Sequence, residues 1–294
     1  MIITLFICYY NTISTLHMPR RSYQAMPLSA APQRMAGIIG GEVRTLLLPG
    51  PASEVLPGLL WGDATEFFTP AFWAVQAWQL NTDSAPGSQR LGNTFSEEVS
   101  ACLLGGHGLP AEIGLAAFAR LRGRGLLRPG CTDEPTLYAA LKEPLVVRKR
   151  TVHYRFARQK AKYLAAALSA LAHSPVPDIA GGRKLRDWLM MLPGIGPKTA
   201  SWIVRNWLDS NEVAILDIHI YRAGLLTGIF LETEQISRDY EEMERKFLNF
   251  AWGIAVRPSH LDAVIWRQMK EMGHFPISLL NGANASLREA SLQP

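Results

Sequence analysis

The sequence is poor in cysteine, with only three among 294 residues. Cys8, Cys102 and Cys131 are far apart, and an odd number of cysteines supplies no paired disulfide framework. Three cysteines are too few for a four-cysteine iron–sulfur cluster or a structural zinc site within one chain. We therefore expect a reducing, cytoplasmic setting without an iron–sulfur cluster.

Long apolar runs are also scarce. The first nineteen residues carry no Lys, Arg, Asp or Glu, but no basic residue precedes the stretch MIITLFICYY, as a signal peptide would require. No other stretch is long and apolar enough to span a bilayer, so no membrane partner is expected. We expect residues 1–35 to be a disordered leader or a misplaced start; a weak membrane anchor is the other interpretation.

Charged residues make up only 19% of the chain, against 48% hydrophobic residues, which excludes an intrinsically disordered protein. The length suits one large domain or two small ones. Residues 42–50 are typical of a strand, and helical signals dominate after about residue 67. They include a T-x-x-E capping box at Thr94 and Glu97, and a long amphipathic stretch over 151–172. These patterns predict a mainly α protein with a little sheet at its N-terminal end.

Positive charge is concentrated in one segment. Residues 145–205 contain twelve Lys or Arg and two Asp, a local balance of +10, although the whole chain carries only +5. Such a run is either a solvated helix face or a footprint for a phosphate backbone. Because it surrounds the motif described next, we favour the phosphate footprint.

The most informative stretch is LRDWLMMLPGIGPKTASWIVRNWLDSNEVAILDIHIYRAG, residues 185–224. It predicts a helix, a tight L-P-G-I-G-P turn and a second helix that begins near Pro197. Gly194 and Gly196 allow the backbone to turn sharply and to come close to a ligand. The free N–H groups of the second helix point out of the turn, which suits a DNA phosphate.

A lysine and an aspartate accompany this turn. Lys198 falls in the first turn of the second helix, where the partial positive charge of the helix end favours the neutral, nucleophilic amine; a lysine that contacts phosphate fits equally well. Asp217 follows nineteen residues later, after the apolar run VAIL, and can return close to Lys198. It also begins a helix, and a capping carboxylate held beside an amine suits a reaction that develops positive charge.

LPGIGPKTAS followed by ILDIHIYRAG closely resembles the helix-hairpin-helix signature of the base-excision DNA glycosylase superfamily. The resemblance implies two helical domains with the DNA-binding hairpin at the cleft between them, and a damaged nucleotide flipped into that cleft. It further implies that Lys198 attacks the sugar C1′ to form a Schiff base, that β-elimination follows, and that Asp217 stabilises the oxocarbenium-like sugar. Many relatives carry a four-cysteine cluster after this region. The absence of cysteine beyond Cys131 favours the 8-oxoguanine branch.

The segment LDAVIWRQMK suggests a base pocket. Asp262 and Trp266 are four residues apart, so both project from one face of a helix. A carboxylate accepts from the N1–H and N2–H₂ groups of guanine, and an indole supplies a stacking wall. The pair looks like the D-x-x-x-W arrangement of archaeal-type 8-oxoguanine glycosylases, although a surface aspartate and a core tryptophan give the same spacing.

Further DNA contacts are inferred from loose matches to the family. His107 in LLGGHG matches the loop that fills the gap left by the flipped base, although an exposed histidine in a glycine turn fits as well. His219 matches a position near a backbone phosphate, or is a buried, satisfied histidine. Arg155, Arg158 and Lys160 are the expected strand contacts.

The expected organisation is a leader (1–35), a discontinuous helical domain (36–109 and 191–275), a helical barrel domain (110–190) and a tail (276–294). The resemblance implies a monomer that acts on damaged double-stranded DNA and needs no redox cofactor or catalytic metal. Carbonyls of the hairpin are compatible with a bound monovalent cation. Two alternatives stay open: a glycosylase/lyase for oxidised pyrimidines that lacks the cluster, and a non-catalytic helix-hairpin-helix DNA-binding protein.

Overall fold

The computed structural model describes residues 29–80, 89–106, 108–130, 133–173 and 181–281. Its fold is mainly helical, which confirms the predicted class. The helices are α1 (Pro70–Gln79), α2 (Phe95–Leu104), α3 (Ala111–Gly123), α4 (Glu134–Lys142), α5 (Ala157–His173), α6 (Gly182–Met190), α7 (Pro197–Leu208), α8 (Ile218–Thr227), α9 (Ile236–Gly253) and α10 (Pro258–Met272). Residues 275–281 are also helical. None of the helices in these ranges is long and apolar enough to cross a membrane.

The strands form antiparallel pairs. They are β1 (Gln33–Ile39) with β2 (Glu42–Leu48), β3 (Glu54–Leu56) with β4 (Leu59–Leu60), and β5 (Leu145–Val147) with β6 (Arg150–Val152). The predicted strand at 42–50 is β2. Its partner β1 begins at Gln33, inside the predicted leader. The side-chain amide of Gln33 holds the start of this strand in place: it donates to Pro49 O and Gly62 O and accepts from Ala64 N at 2.8–2.9 Å.

Side-chain caps start several helices where the sequence places them. Asp133 and Asp217 cap α4 and α8 through their carboxylates. Thr94 caps α2, and its hydroxyl accepts from Glu97 N at 3.3 Å. The return bond of the predicted capping box is shifted by one residue, since Glu97 accepts from Asn93 N at 2.7 Å.

The long helix predicted over 151–172 begins later than expected. Its first residues belong to β6, and α5 starts at Ala157. Two features keep the residues just before α5 out of the helix. Arg148 and Lys149 adopt left-handed backbone angles that close the β5–β6 hairpin, and the Tyr154 hydroxyl donates to Leu104 O at 2.6 Å. The predicted start was wrong because the buried Tyr154, which precedes α5, has the same spacing from Ala157 as the residues of the helix's apolar face.

The buried apolar side chains form two clusters. The first core comprises residues from α2 to α7 and ends at Val213. The second core joins Leu48 and α1 to the segment from Ala214 through α10. The chain passes from one core to the other between Val213 and Ala214, four residues before Asp217.

Two observations concern the boundaries of the expected division. Buried residues of α2 and α7, which we had assigned to the discontinuous domain, pack in the first core together with α3–α6. The helical residues 275–281 cross the expected tail boundary, and Phe275 contacts the rings of Phe67 and Phe68. The division into domains itself stays a prediction.

Candidate active site

The turn between α6 and α7 depends on one of its two glycines. Gly194 has φ +81°, and a β-carbon there would lie 2.2 Å from the Tyr163 ring, so both conformation and packing require glycine. Gly196 has ordinary backbone angles and precedes α7, with open space where a side chain would be. No side chain caps α7 at Gly196, so its first N–H groups face away from the helix without that partner.

Lys198 and Asp217 lie at the starts of two successive helices. Lys198 is half-buried in the first turn of α7, and no carboxylate of the described residues lies within 4.0 Å of its amine. Asp217 is only 9% exposed, and its Oδ1 accepts from the amides of His219 and Ile220 at 2.8 and 3.0 Å. The cap fixes this carboxylate, and its second oxygen is not used in the cap.

His219 connects these two residues electrostatically. Burial lowers the pKa of His219; the Asp217 charge opposes this shift, while Arg222, Lys198 and Lys270 add to it. The half-buried ring meets Trp266 edge-on, with 6.3 Å between centroids. Trp266 thus contacts the His219 ring, and the charges of Lys198 and Asp217 both act on it. Arg205 of α7 and Asp262 of α10 bring the first core against the second in the same region.

The structure separates the two residues of the expected base pocket. Trp266 is 40% exposed, and the Lys270 ammonium lies 4.7 Å from its ring centroid. Asp262 is 3% exposed, with Oδ1 3.5 Å from Arg205 Nη2 and Oδ2 without a hydrogen-bond partner in the described structure. A base edge reaches Oδ2 only after the side chains that cover it move.

Lys160, one of the expected strand contacts, is bonded within the protein. It is half-buried, its amine donates to Gly105 O at 3.3 Å, and burial lowers its pKa. It supports the loop after α2, whereas Arg155 and Arg158 are exposed and stack on Phe156 and Tyr138. His107, the expected wedge in this loop, lies outside the described residues.

Sequence reasoning missed the buried polar residues beneath the site. Glu98 accepts from Asn206 Nδ2 at 2.8 Å and from the amides of Leu91 and Gly92, which ties α7 to α2. Arg205 reaches Asp262 across the boundary between the cores. Its position, seven residues after Lys198 and hence on the same face of α7, was the available signal.

With the geometry established, a family model decides the relationship. The model described as 8-oxoguanine DNA glycosylase (Ogg-HhH) matches residues 88–256. The chain belongs to this 8-oxoguanine DNA glycosylase family. The suspected resemblance is thereby confirmed, and the match includes Lys198, Asp217 and His219. Asp262 and Trp266 lie just beyond its end, so family membership does not bear on them.

Solved structures of 8-oxoguanine DNA glycosylases are similar to this member of the family. The enzyme of Methanocaldococcus jannaschii is 25% identical over 58% of this chain and 76% of its own, with a TM-score of 0.46. The enzyme of Thermotoga maritima is 21% identical over 67% and 86%, with a TM-score of 0.47. The M. jannaschii glycosylase/lyase in complex with a 15mer DNA containing 8-oxoguanine is 24% identical over 58% and 78%, with a TM-score of 0.46.

Proposed function

We propose that the protein is a bifunctional DNA glycosylase and AP lyase that excises 8-oxoguanine from duplex DNA. Family membership supports the lesion. The observation that carries the lyase activity is the position of Lys198 in the first turn of α7. Its charge and that of Asp217, which caps α8, both act on the pKa of His219. A phosphate clamp could use the amine, but it needs no carboxylate fixed beside that amine.

The proposed chemistry uses both residues on the sugar. The Lys198 amine attacks C1′, the bond from C1′ to N9 breaks, and the departing base keeps the electron pair and takes the proton that the attacking amine gives up. The C1′–O4′ bond then opens as O4′ takes a proton, which leaves a protonated Schiff base between C1′ and Lys198. Asp217 stabilises the positive charge that develops on the sugar ring, since its carboxylate is fixed by two backbone amides. β-Elimination then removes a proton from C2′ and breaks the bond from C3′ to its phosphate oxygen.

The proposed base pocket consists of Asp262 and Trp266. Asp262 Oδ2 has no other hydrogen-bond partner and would accept from the guanine edge, while the exposed Trp266 ring would stack on the base. The amides at the start of α7 and the exposed Arg155 and Arg158 would bind backbone phosphates. We propose that this chemistry needs no metal or redox cofactor, and that the enzyme acts as a cytoplasmic monomer.

The test incubates the protein with duplexes that carry single lesions, with and without borohydride. The wild type should release 8-oxoguanine, nick the strand and form a covalent adduct that borohydride traps. Lys198→Gln should abolish trapping and nicking but keep lesion-DNA affinity. Lys142→Gln, on the exposed surface of α4, is the matched control and should trap normally.

Three outcomes would contradict the proposal. A trapped adduct in Lys198→Gln would assign the chemistry to another amine. Preference of the wild type for an oxidised pyrimidine would move the enzyme to another lesion class. Binding without any base release would mark a non-catalytic DNA-binding protein.

A further inference from the structure

A buried arginine with unpartnered donors lies beneath the candidate site. Arg205 is 8% exposed, and neither its Nε nor its Nη1 has a hydrogen-bond partner among the described residues. Its Nη2 lies 3.5 Å from Asp262 Oδ1, an ion pair without a hydrogen bond. Unpaired buried donors are costly, so those of Arg205 need an explanation.

The position of Arg205 links the two halves of the site. It lies on α7, on the same face as Lys198 and nearly two turns further along. Its partner Asp262 lies on α10, and the Asp217 charge also acts on Asp262. One side chain thus connects the helix of the nucleophile with the carboxylate expected to meet the base.

We propose that Arg205 is a positioning residue for base recognition: it keeps Asp262 anionic, with Oδ1 turned to the guanidinium and Oδ2 left to accept from the guanine edge. Arg205 acts through Asp262 and does not touch the DNA. This role rests on the proposed function, because it assumes that a guanine base enters the site. A protonated Asp262 would present a donor to the guanine donors and lose the recognition.

The charges around Asp262 determine how removal of Arg205 would act. The pKa of Asp262 is raised to about 6 overall: burial raises it most, the Arg205 charge lowers it, the Asp217 charge raises it, and a bond from the Ile215 amide lowers it. The other elements packed on α10 add little, since α1 has no ionisable side chain and Glu244 of α9 is paired with Arg186. His219 of α8 titrates nearby, but it faces Trp266. Loss of Arg205 should therefore raise the pKa of Asp262 further.

The first experiment measures single-turnover release of 8-oxoguanine from pH 5 to pH 9. Wild-type release should rise with pH through about 6. In Arg205→Met the rise should shift upward by about two pH units, with roughly tenfold slower release at pH 7 and recovery near pH 9. Arg205→Lys keeps the charge and should restore most of the wild-type profile. Lyase action on a preformed abasic site should stay near wild type in both.

Arg186→Met is the matched control. Arg186 is also 8% exposed and pairs with the buried Glu244, so its loss should destabilise the protein without moving the pH profile of base release. A purely structural role of Arg205 predicts the same behaviour for Arg205→Met. An unchanged profile, or equal losses of base release and lyase action, would therefore overturn the proposal.

A second readout does not depend on activity. Because the folded pKa of Asp262 lies above its unfolded value, its contribution to stability is complete below the unfolded pKa and falls as pH rises through the folded pKa. In Arg205→Met this fall should extend to higher pH, and Arg205→Met/Asp262→Asn should abolish it. If the wild type releases no 8-oxoguanine, the proposed function fails. If instead the two stability profiles coincide, the Arg205–Asp262 coupling fails.

Discussion

At the scale of single residues, the two glycines of the L-P-G-I-G-P turn have different roles. Gly194 is held in the left-handed region against the Tyr163 ring, so its role is to shape the turn. Gly196 needs no special backbone angle and has open space at its Cα, so its role is to leave the start of α7 accessible. The sequence motif has glycine at both positions, but only Gly194 requires it for its backbone angle and packing.

Gly194→Ala and Gly196→Ala should therefore affect different properties. Gly194→Ala should destabilise the protein by about 2 kcal/mol or more, because a side chain there is strained and collides with Tyr163. Gly196→Ala should leave stability nearly unchanged but weaken binding to DNA. Urea unfolding and duplex affinity, measured on both variants, check the pair. Equal loss of stability in the two would contradict the assignment.

At the scale of elements, the β5–β6 hairpin closes with an unusual turn. Arg148 and Lys149 have φ +48° and +64°, angles for which Asn-Gly is the common choice in two-residue hairpins. Arg148 pairs with Glu112 at the start of α3, close to the loop that Lys160 supports. The turn thus places two cations in unfavourable backbone conformations. They lie near the loop after α2, which we expect to contact DNA.

Replacing Arg148-Lys149 with Asn-Gly should stabilise the protein by about 1 kcal/mol, because both residues would then suit their backbone angles. Loss of the exposed Arg148–Glu112 ion pair should subtract little. Chemical denaturation measures the gain. A less stable variant would show that the cations contribute to stability in the free protein.

Helix α5 allows a second comparison at this scale. Arg158 is exposed, whereas Lys160 points to Gly105 O. Arg158→Gln should reduce the salt dependence of duplex binding by roughly one unit of slope, and Lys160→Met should reduce it less. Affinity for undamaged duplex over a range of salt concentrations distinguishes them. A larger slope change in Lys160→Met would restore Lys160 as the direct phosphate contact.

At the scale of the whole molecule, buried carboxylates join the two cores. Glu244 of α9 pairs with Arg186 of α6, accepts from Ala214 N at 2.9 Å and lies 3.4 Å from the Ser201 hydroxyl of α7. These partners belong to elements on both sides of the boundary at 213–214. The boundary also carries the candidate site, so its geometry depends on how the cores are held together.

Glu244→Gln should lower the free energy of unfolding by about 3 kcal/mol, because it leaves the buried Arg186 charge with only the exposed Asp187 as a partner. Glu242→Gln is the matched control, since Glu242 is exposed on the same helix and pairs with Arg245. It should change stability little. Urea unfolding followed by tryptophan fluorescence checks both; similar effects would contradict a joining role for Glu244.

Local chemistry in the sequence determined much of this protein. Helix class, the hairpin, the start of α7 at Pro197 and the capping role of Asp217 follow from short-range patterns, and the same residues led to the family. Tertiary structure decided what long-range packing controls. The burial of Asp262 against Arg205, the bond of Lys160 to Gly105 and the packing of α7 with α2 join residues far apart in the chain. Periodicity within one helix shows which residues share a face. Only the fold decides which opposite charge lies beside a buried carboxylate, because the two residues come from different helices.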